Sequence, residues 1–142
     1  MSLPALDPAQ LQAVRAFVGH LNALEWEPLA ELLHPDFRHQ YQPASIVPPD
    51  GKETRGKADF IGVLQHNLLV VFKFIKWTIV DETHGVDSVV LHLTSNGMSK
   101  SGREYGNEYM CTFKLQGDKI TRLYEFVDSK YSSAYFGALR AE

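Results

Sequence analysis

The sequence predicts an α+β fold in which three N-terminal helices cover one face of a curved antiparallel β-sheet, and three observations carry this. Apolar residues recur at helical spacing through most of the first half of the chain. Alternation at period two takes over from Phe74 onward. A tight-turn sequence, Gln116-Gly117-Asp118-Lys119, joins the two long alternating runs between Arg103 and Asp128. Helices first and strands afterwards are the signature of segregated layers, not of alternating parallel units.

The elements follow in order. Asp7 before Pro8 is an N-cap with proline at the first helical position, and Leu11, Val14, Phe17, Val18, Leu21 and Leu24 then line one face of a long opening helix. Pro28 at the head of 29–33 and Pro35 just after His34 bracket a second, very short helix, and 37–41 alternates as a strand. Residues 42–56 hold three prolines and two glycines and read as a long loop, a length that is most often functional. A third helix over 57–72 places Ala58, Ile61, Leu64, Gln65, Leu68 and Leu69 on one side. Strands over 74–83 and 88–95 form a hairpin across His84-Gly85-Val86-Asp87. After the 103–128 hairpin, Asp128 caps a terminal helix over 129–139, with Tyr131, Tyr135, Phe136 and Leu139 facing inward.

Composition narrows the function. A chain of 142 residues, 44% hydrophobic and 11% aromatic, is one domain. A net charge of -3 with no run of Lys or Arg argues against a nucleic-acid surface, which needs clustered positive charge. The longest apolar stretch, 68–72, is far short of the roughly 20 residues of a membrane span. No signal-peptide pattern opens the chain, and the single Cys111 has no disulfide partner, so a reducing, cytoplasmic setting is expected. Cys111 itself reads as a small buried hydrophobe. Within 103–128, Asn107, Tyr109, Cys111 and Glu125 interrupt a strand face that should be apolar, and polar groups inside a curved sheet usually mean a pocket.

The order of elements, the segment Leu32-Leu33-His34-Pro35-Asp36-Phe37, and the run from Asn107-Glu108-Tyr109 through Gly117-Asp118-Lys119-Ile120 to Glu125-Phe126-Val127-Asp128 together resemble the nuclear transport factor 2-like superfamily. Within it the chain is similar to the SnoaL-like polyketide cyclases and isomerases, especially small fungal members. The resemblance covers nearly the whole chain. It implies a cone-shaped sheet around a deep apolar cavity, and a homodimer through the outer sheet face. It also implies a register. Leu123, Glu125 and Val127 face the cavity from the last strand, and Asn107, Tyr109, Cys111 and Phe113 from the one before. Similarity to limonene epoxide hydrolase over 91–128 adds His92 and Thr94 to the inward set, and the first strand contributes His39 and Tyr41.

Comparison with relatives excludes more than it assigns. The steroid Δ-isomerases' tyrosine and two aspartates correspond here to Phe17, Tyr41 and Cys111, so a copy of that mechanism is not expected. Limonene epoxide hydrolase's last-strand aspartate corresponds to Glu125, while His92 and Thr94 stand where its arginine and second aspartate would be. What remains is a Glu125–His92 couple. A carboxylate among apolar walls beside an imidazole is the arrangement general acid–base catalysis uses. Tyr41 and Tyr109 are candidate donors to a developing oxyanion, Asn107 a candidate to orient a carbonyl, and His39 a second acid. Phe17, Thr94, Phe113 and Val127 complete the expected substrate wall, with Leu21, Leu64 and Phe74 beside them. No metal ligand cluster and no cofactor are implied.

Three readings stay open at this point. One is a cofactor-independent isomerase, cyclase or dehydratase acting on a hydrophobic polyketide or terpenoid intermediate. Another is a carrier with a similar cavity and no turnover, and the last a protein-interaction module. Val89, Leu91 and Leu93, expected on the outer sheet face, would serve either dimerisation or a partner.

Overall fold

The computed structural model describes residues 6–46 and 48–142. The first five residues, where no signal-peptide pattern is expected, and Val47 of the long loop lie outside the described residues. Helix α1, Pro8–Ala23, starts on a reciprocal cap: Gln10 N–H donates to Asp7 Oδ1 at 2.9 Å, and Asp7 N–H donates to Gln10 Oε1 at 3.1 Å. Caps of this kind contribute about 1 kcal/mol. The helix buries Ala13, Val14, Phe17, Val18 and Leu21. Helix α2 runs Trp26–Glu31, starting before Pro28 where the sequence suggests a start after it. In the first turn a proline gives up only an N–H that has no acceptor inside the helix.

Strand β1, Leu33–Gln42, leads through the long loop to the two-residue β2, Arg55–Gly56, and helix α3, Lys57–His66. The expected helix to residue 72 breaks into a π-helical turn, Asn67–Val71, before β3, Phe72–His84. The wider turn rotates the tail. Leu68 stays buried, whereas Leu69, expected inside, is 51% exposed. Strands β4, Ser88–Ser99, β5, Glu104–Tyr105, β6, Glu108–Gln116, and β7, Lys119–Val127, complete the sheet. Gly117, at φ 59°, supplies the left-handed residue of the β6–β7 turn. Helix α4, Ser129–Arg140, is capped as expected by Asp128, which accepts from Tyr131 N–H at 3.1 Å.

The strand order is β2-β1-β7-β6-β4-β3, with β5 alongside β4. Helices α1 and α3 lie against its concave face, which gives the expected α+β arrangement. Every pairing is antiparallel except β1 with β7, which is parallel, so the sheet is mixed. The long path from β1 through α3 and the other strands provides the connection that a parallel pair requires.

Cross-strand register decides which residues face inward, because directly opposed residues share a face. Three rows cross the sheet: His39, Leu123, Phe113 and Val89; Tyr41, Glu125, Cys111 and Leu91; and Val127, Tyr109 and Leu93. Val89, Leu91 and Leu93 are therefore core residues, 1%, 0% and 5% exposed, not the outer face assigned to them from the sequence. On β4 the outward residues are Val90, His92 and Thr94. The expected register of this strand is off by one, and a slip of one residue exchanges the whole set.

A second correction concerns Phe74. The β3–β4 register shifts between Phe72 and Phe74, where Gly97 brings the strands together: a Cβ on Gly97 would lie 2.7 Å from the Phe74 carbonyl oxygen. This irregularity turns Phe74 outward, 44% exposed, and Phe72 and Ile75 fill the inner positions instead.

Candidate active site

The concave face of the sheet and helices α1, α3 and α4 enclose a cavity of about 880 Å³. Its wall is mainly apolar and aromatic. Phe17, Leu21, Leu64, Tyr109, Phe113 and Val127 all line it, as the sequence suggests. Phe17 stands edge-on to Phe113 across the cavity base, with ring centroids 5.2 Å apart. The cavity is not sealed: exposed residues of the long loop, Ser45 and Pro49, and of α4, Ser133 and Arg140, stand around its mouth.

Glu125 is the acidic side chain of this wall, carried near the C-terminal end of β7 and held 22% exposed. Its partner is His39, not His92: His39 Nε2 lies 3.0 Å from Glu125 Oε1. His39 is 1% exposed, packed on the Phe60 ring and edge-on to Tyr41, each at 4.6 Å between centroids. Its other nitrogen, Nδ1, is buried without a hydrogen-bond partner. A proton on Nδ1 would be stranded in an aromatic environment, so the arrangement favours the tautomer whose Nε2–H donates to Glu125 Oε1. The second carboxylate oxygen of Glu125 makes no hydrogen bond among the described residues.

His92 is on the opposite face of the sheet, where its Nε2 lies 2.8 Å from Glu108 Oε2. The expected Glu125–His92 couple is thus not formed. Thr94 is also on the outer face and does not line the cavity. Tyr41 does line it, one strand from Glu125, and burial, with the Glu125 charge adding to it, holds its phenol proton well above the usual tyrosine range. Burial likewise pushes the Tyr109 phenol and the Cys111 thiol up, so both keep their protons. Cys111 is the small buried residue expected of it.

Asn107 is buried but braces the wall from behind. Its side-chain Nδ2 donates to Tyr105 Oη at 3.1 Å and to Ser132 Oγ at 2.9 Å, its backbone N–H donates to Ser95 Oγ at 3.1 Å, and its Oδ1 accepts from Glu108 N–H at 2.8 Å. Ser95 Oγ and Tyr109 Oη are 3.1 Å apart, and Tyr109 Oη and Tyr105 Oη 3.0 Å, so three hydroxyls form a chain beside the cavity. Sequence reasoning missed Tyr105, Ser95 and Ser132. Strand β5 is too short to show alternation, and Ser132 is polar on a helix face that reads as solvated.

Arg55 was missed for the same reason: it belongs to a two-residue strand at the end of an aperiodic loop. It lies opposite His39 in the β1–β2 pair, lines the cavity, and is 5% exposed. Its Nη2 donates to Asp50 Oδ2 at 2.8 Å, tying the cavity wall to the loop at the mouth, while Nε is 3.8 Å from Asp59 Oδ2 and makes no hydrogen bond. Among the described residues no group of three or more His, Cys, Asp or Glu side chains is placed to hold a metal ion.

Residues 14–123 match the family described as the SnoaL-like domain. No curated protein matches the sequence. Among solved structures, AusH from Aspergillus nidulans is 22% identical with a TM-score of 0.72, over 89% of this chain and 88% of that one. BvnE pinacolase from Penicillium brevicompactum is 18% identical with a TM-score of 0.77, over 94% and 97%. An LEH-like epoxide hydrolase from M. tuberculosis is 16% identical with a TM-score of 0.71, over 93% and 90%. At such identities these three structures share a fold with this chain.

Proposed function

The chain belongs to the SnoaL-like domain family, and on that premise we propose that it is a cofactor-independent isomerase, cyclase or dehydratase acting by proton transfer on a hydrophobic polyketide or terpenoid intermediate. The observation that carries this reading is Glu125: a carboxylate held by a buried histidine at one oxygen and open at the other, in a cavity whose wall is mainly apolar and aromatic. Glu125 is the base that removes a proton from carbon, or returns it. His39 orients the carboxylate. Tyr41, protonated and adjacent, donates to the oxygen on which negative charge develops. Phe17, Phe113 and Val127 hold the apolar body of the substrate and exclude water from the carboxylate.

The test is hydrogen exchange at carbon. Hydrophobic β-keto lactones and terpenoid enones are incubated in deuterium oxide with the native protein and with Glu125→Gln, and deuterium uptake is followed by mass spectrometry beside ligand affinity and melting temperature. The expected result is unchanged affinity and melting, with exchange about 10²- to 10⁴-fold slower in the variant. Unchanged exchange in a well-folded Glu125→Gln protein would remove Glu125 from the mechanism and leave Tyr41 with His39 to test. Ligand binding without exchange in either protein would favour a carrier.

A homodimer through the outer face of the sheet belongs to the same proposal. The residues that support it are not those expected from the sequence. Met110 and Phe126, opposed on β6 and β7 and 46% and 48% exposed, form the apolar centre of that face.

A further inference from the structure

The hydroxyls around Asn107 have more hydrogens than the protein has acceptors for them. Ser95, Tyr105, Tyr109 and Ser132 carry four hydroxyl hydrogens. The two oxygen–oxygen contacts, Ser95 with Tyr109 and Tyr109 with Tyr105, use two of them. Asn107 accepts none of them: it donates to Ser95, Tyr105 and Ser132, and its side-chain oxygen meets Glu108 N–H and no hydroxyl. Among the described residues, the acceptors close to the other two are the Tyr105 and Ser132 oxygens themselves, so at least one hydroxyl hydrogen is left without an acceptor.

Their positions follow from burial. Ser95 is 8% exposed and does not line the cavity, so if the chain ran toward Ser95 its hydrogen would be buried and unpaired, which is costly. The favoured order runs from Ser95 to Tyr109 and leaves the spare hydrogen on a phenol, either Tyr105 or Tyr109. The Ser132 hydroxyl stands beside Tyr105 and turns its hydrogen either to that phenol oxygen or into the cavity. All three of these side chains line the cavity. Tyr105 Oη and Ser132 Oγ are held at 3.1 and 2.9 Å on the same amide nitrogen, close enough for one acceptor atom to reach both. Burial raises the Tyr105 and Tyr109 phenols above their ordinary values, so they act as donors and not as phenolates.

We propose that this wall is a subsite for a carbonyl oxygen of the ligand, bound by the Ser132 hydroxyl and by one hydroxyl of the Tyr105–Tyr109 pair. The ligand class is a ketone, quinone or lactone with an apolar ring body, an acceptor in a place where the protein offers only donors. The inference deepens the acid–base reading above, since a carbonyl held here acidifies the carbons beside it, but the binding itself needs no reaction.

The test uses two probes of one shape, 9-fluorenone and fluorene, which differ by a carbonyl in place of a methylene. Affinities are measured by calorimetry, and the carbonyl stretch of the bound ketone by infrared spectroscopy. Two hydrogen bonds should favour the ketone by about tenfold and lower its stretching frequency. Tyr105→Phe/Tyr109→Phe and, separately, Ser132→Ala should each reduce that preference several-fold and raise the frequency, while fluorene affinity, which reports an intact cavity, is retained. Equal affinity of the native protein for the two probes, binding of neither, or a preference unchanged in both variants would overturn the proposal. Glu125→Gln should keep the preference. A fluorenone preference together with no deuterium uptake by the enolisable β-keto lactones and enones would defeat the acid–base reading and leave the subsite standing.

Discussion

His39 makes one hydrogen bond where an imidazole can make two, and the missing one is inside the core. A buried polar atom without a partner costs roughly 1–3 kcal/mol, so the residue is a poor choice for stability alone. The same atom explains why it serves Glu125: with Nδ1 bare, the ring offers its single N–H to the carboxylate and cannot rotate toward a better partner. His39→Phe removes both polar atoms and keeps the stack on Phe60. Its stability should stay within about 1 kcal/mol of native, because the lost bond is offset by the lost orphan. The proton transfer proposed for Glu125 should nevertheless fall by about tenfold or more, since the carboxylate is no longer held. Thermal melting and the deuterium-exchange rate on the same sample check both halves, and a parallel loss of the two would make His39 merely structural.

At the scale of elements, helix α1 is fastened to β3 by Arg15 and Glu82, whose side chains meet at 2.7 and 2.8 Å in a two-pronged contact. Hydrogen bonding from Arg15 is the largest cause holding the Glu82 carboxyl down at about 2. The folded value lies below the ordinary one near 4.5. Its contribution to stability is therefore complete above pH 4.5 and is lost as pH falls from there toward 2. Arg15 is 48% exposed, so solvent screening limits the effect to about 0.5–1 kcal/mol. Glu82→Gln should melt slightly below the native protein at pH 7, and the gap should close as pH approaches 2. A gap that stays constant over that range would assign the loss to packing. A second element-scale device, the π-helical turn after α3, ends the α-helix at His66 and not at residue 72, and keeps Leu68, not Leu69, in the cavity wall.

For the whole molecule, the sheet has two faces with different tasks. The concave face, with Leu91 and Leu93 at its centre, belongs to the core and the cavity. The outer face presents Met110, Phe126 and the His92–Glu108 pair. The proposed dimer through that face would bury Met110 and Phe126 against their symmetry mates, and each such side chain contributes about 1.5–3 kcal/mol when fully covered. If the native chain sediments as the proposed dimer at micromolar concentration, Phe126→Asp should give a folded monomer there, with ketone binding intact. Leu91→Asp should instead unfold the chain, since it places a charge in the core. A native chain that sediments as a monomer at that concentration would refute the dimer.

The sequence by itself determined the α+β class, the capped first and last helices and the β6–β7 turn at Gly117, each on a local pattern: a cap, a period, or a turn residue. The inward set Tyr109, Cys111, Phe113, Leu123, Glu125 and Val127 came from the register that the family resemblance implies, because alternation alone does not say which of the two faces is inside. The partner of Glu125 was not legible in this way. His39 and Glu125 are 86 positions apart and meet only because β1 pairs in parallel with β7. His92 follows its own strand's alternation to the outside, where the apolar Val89, Leu91 and Leu93 already mark the inner face. Similarity to a relative displaced that pattern by one residue. Arg55, Tyr105 and Ser132 join the site from a two-residue strand, another two-residue strand and a helix outside the sheet, none long enough or apolar enough to announce its direction. Local periodicity fixes which residues share a face. Only strand pairing between distant segments, with its one-residue sensitivity, decides which polar groups meet across the cavity.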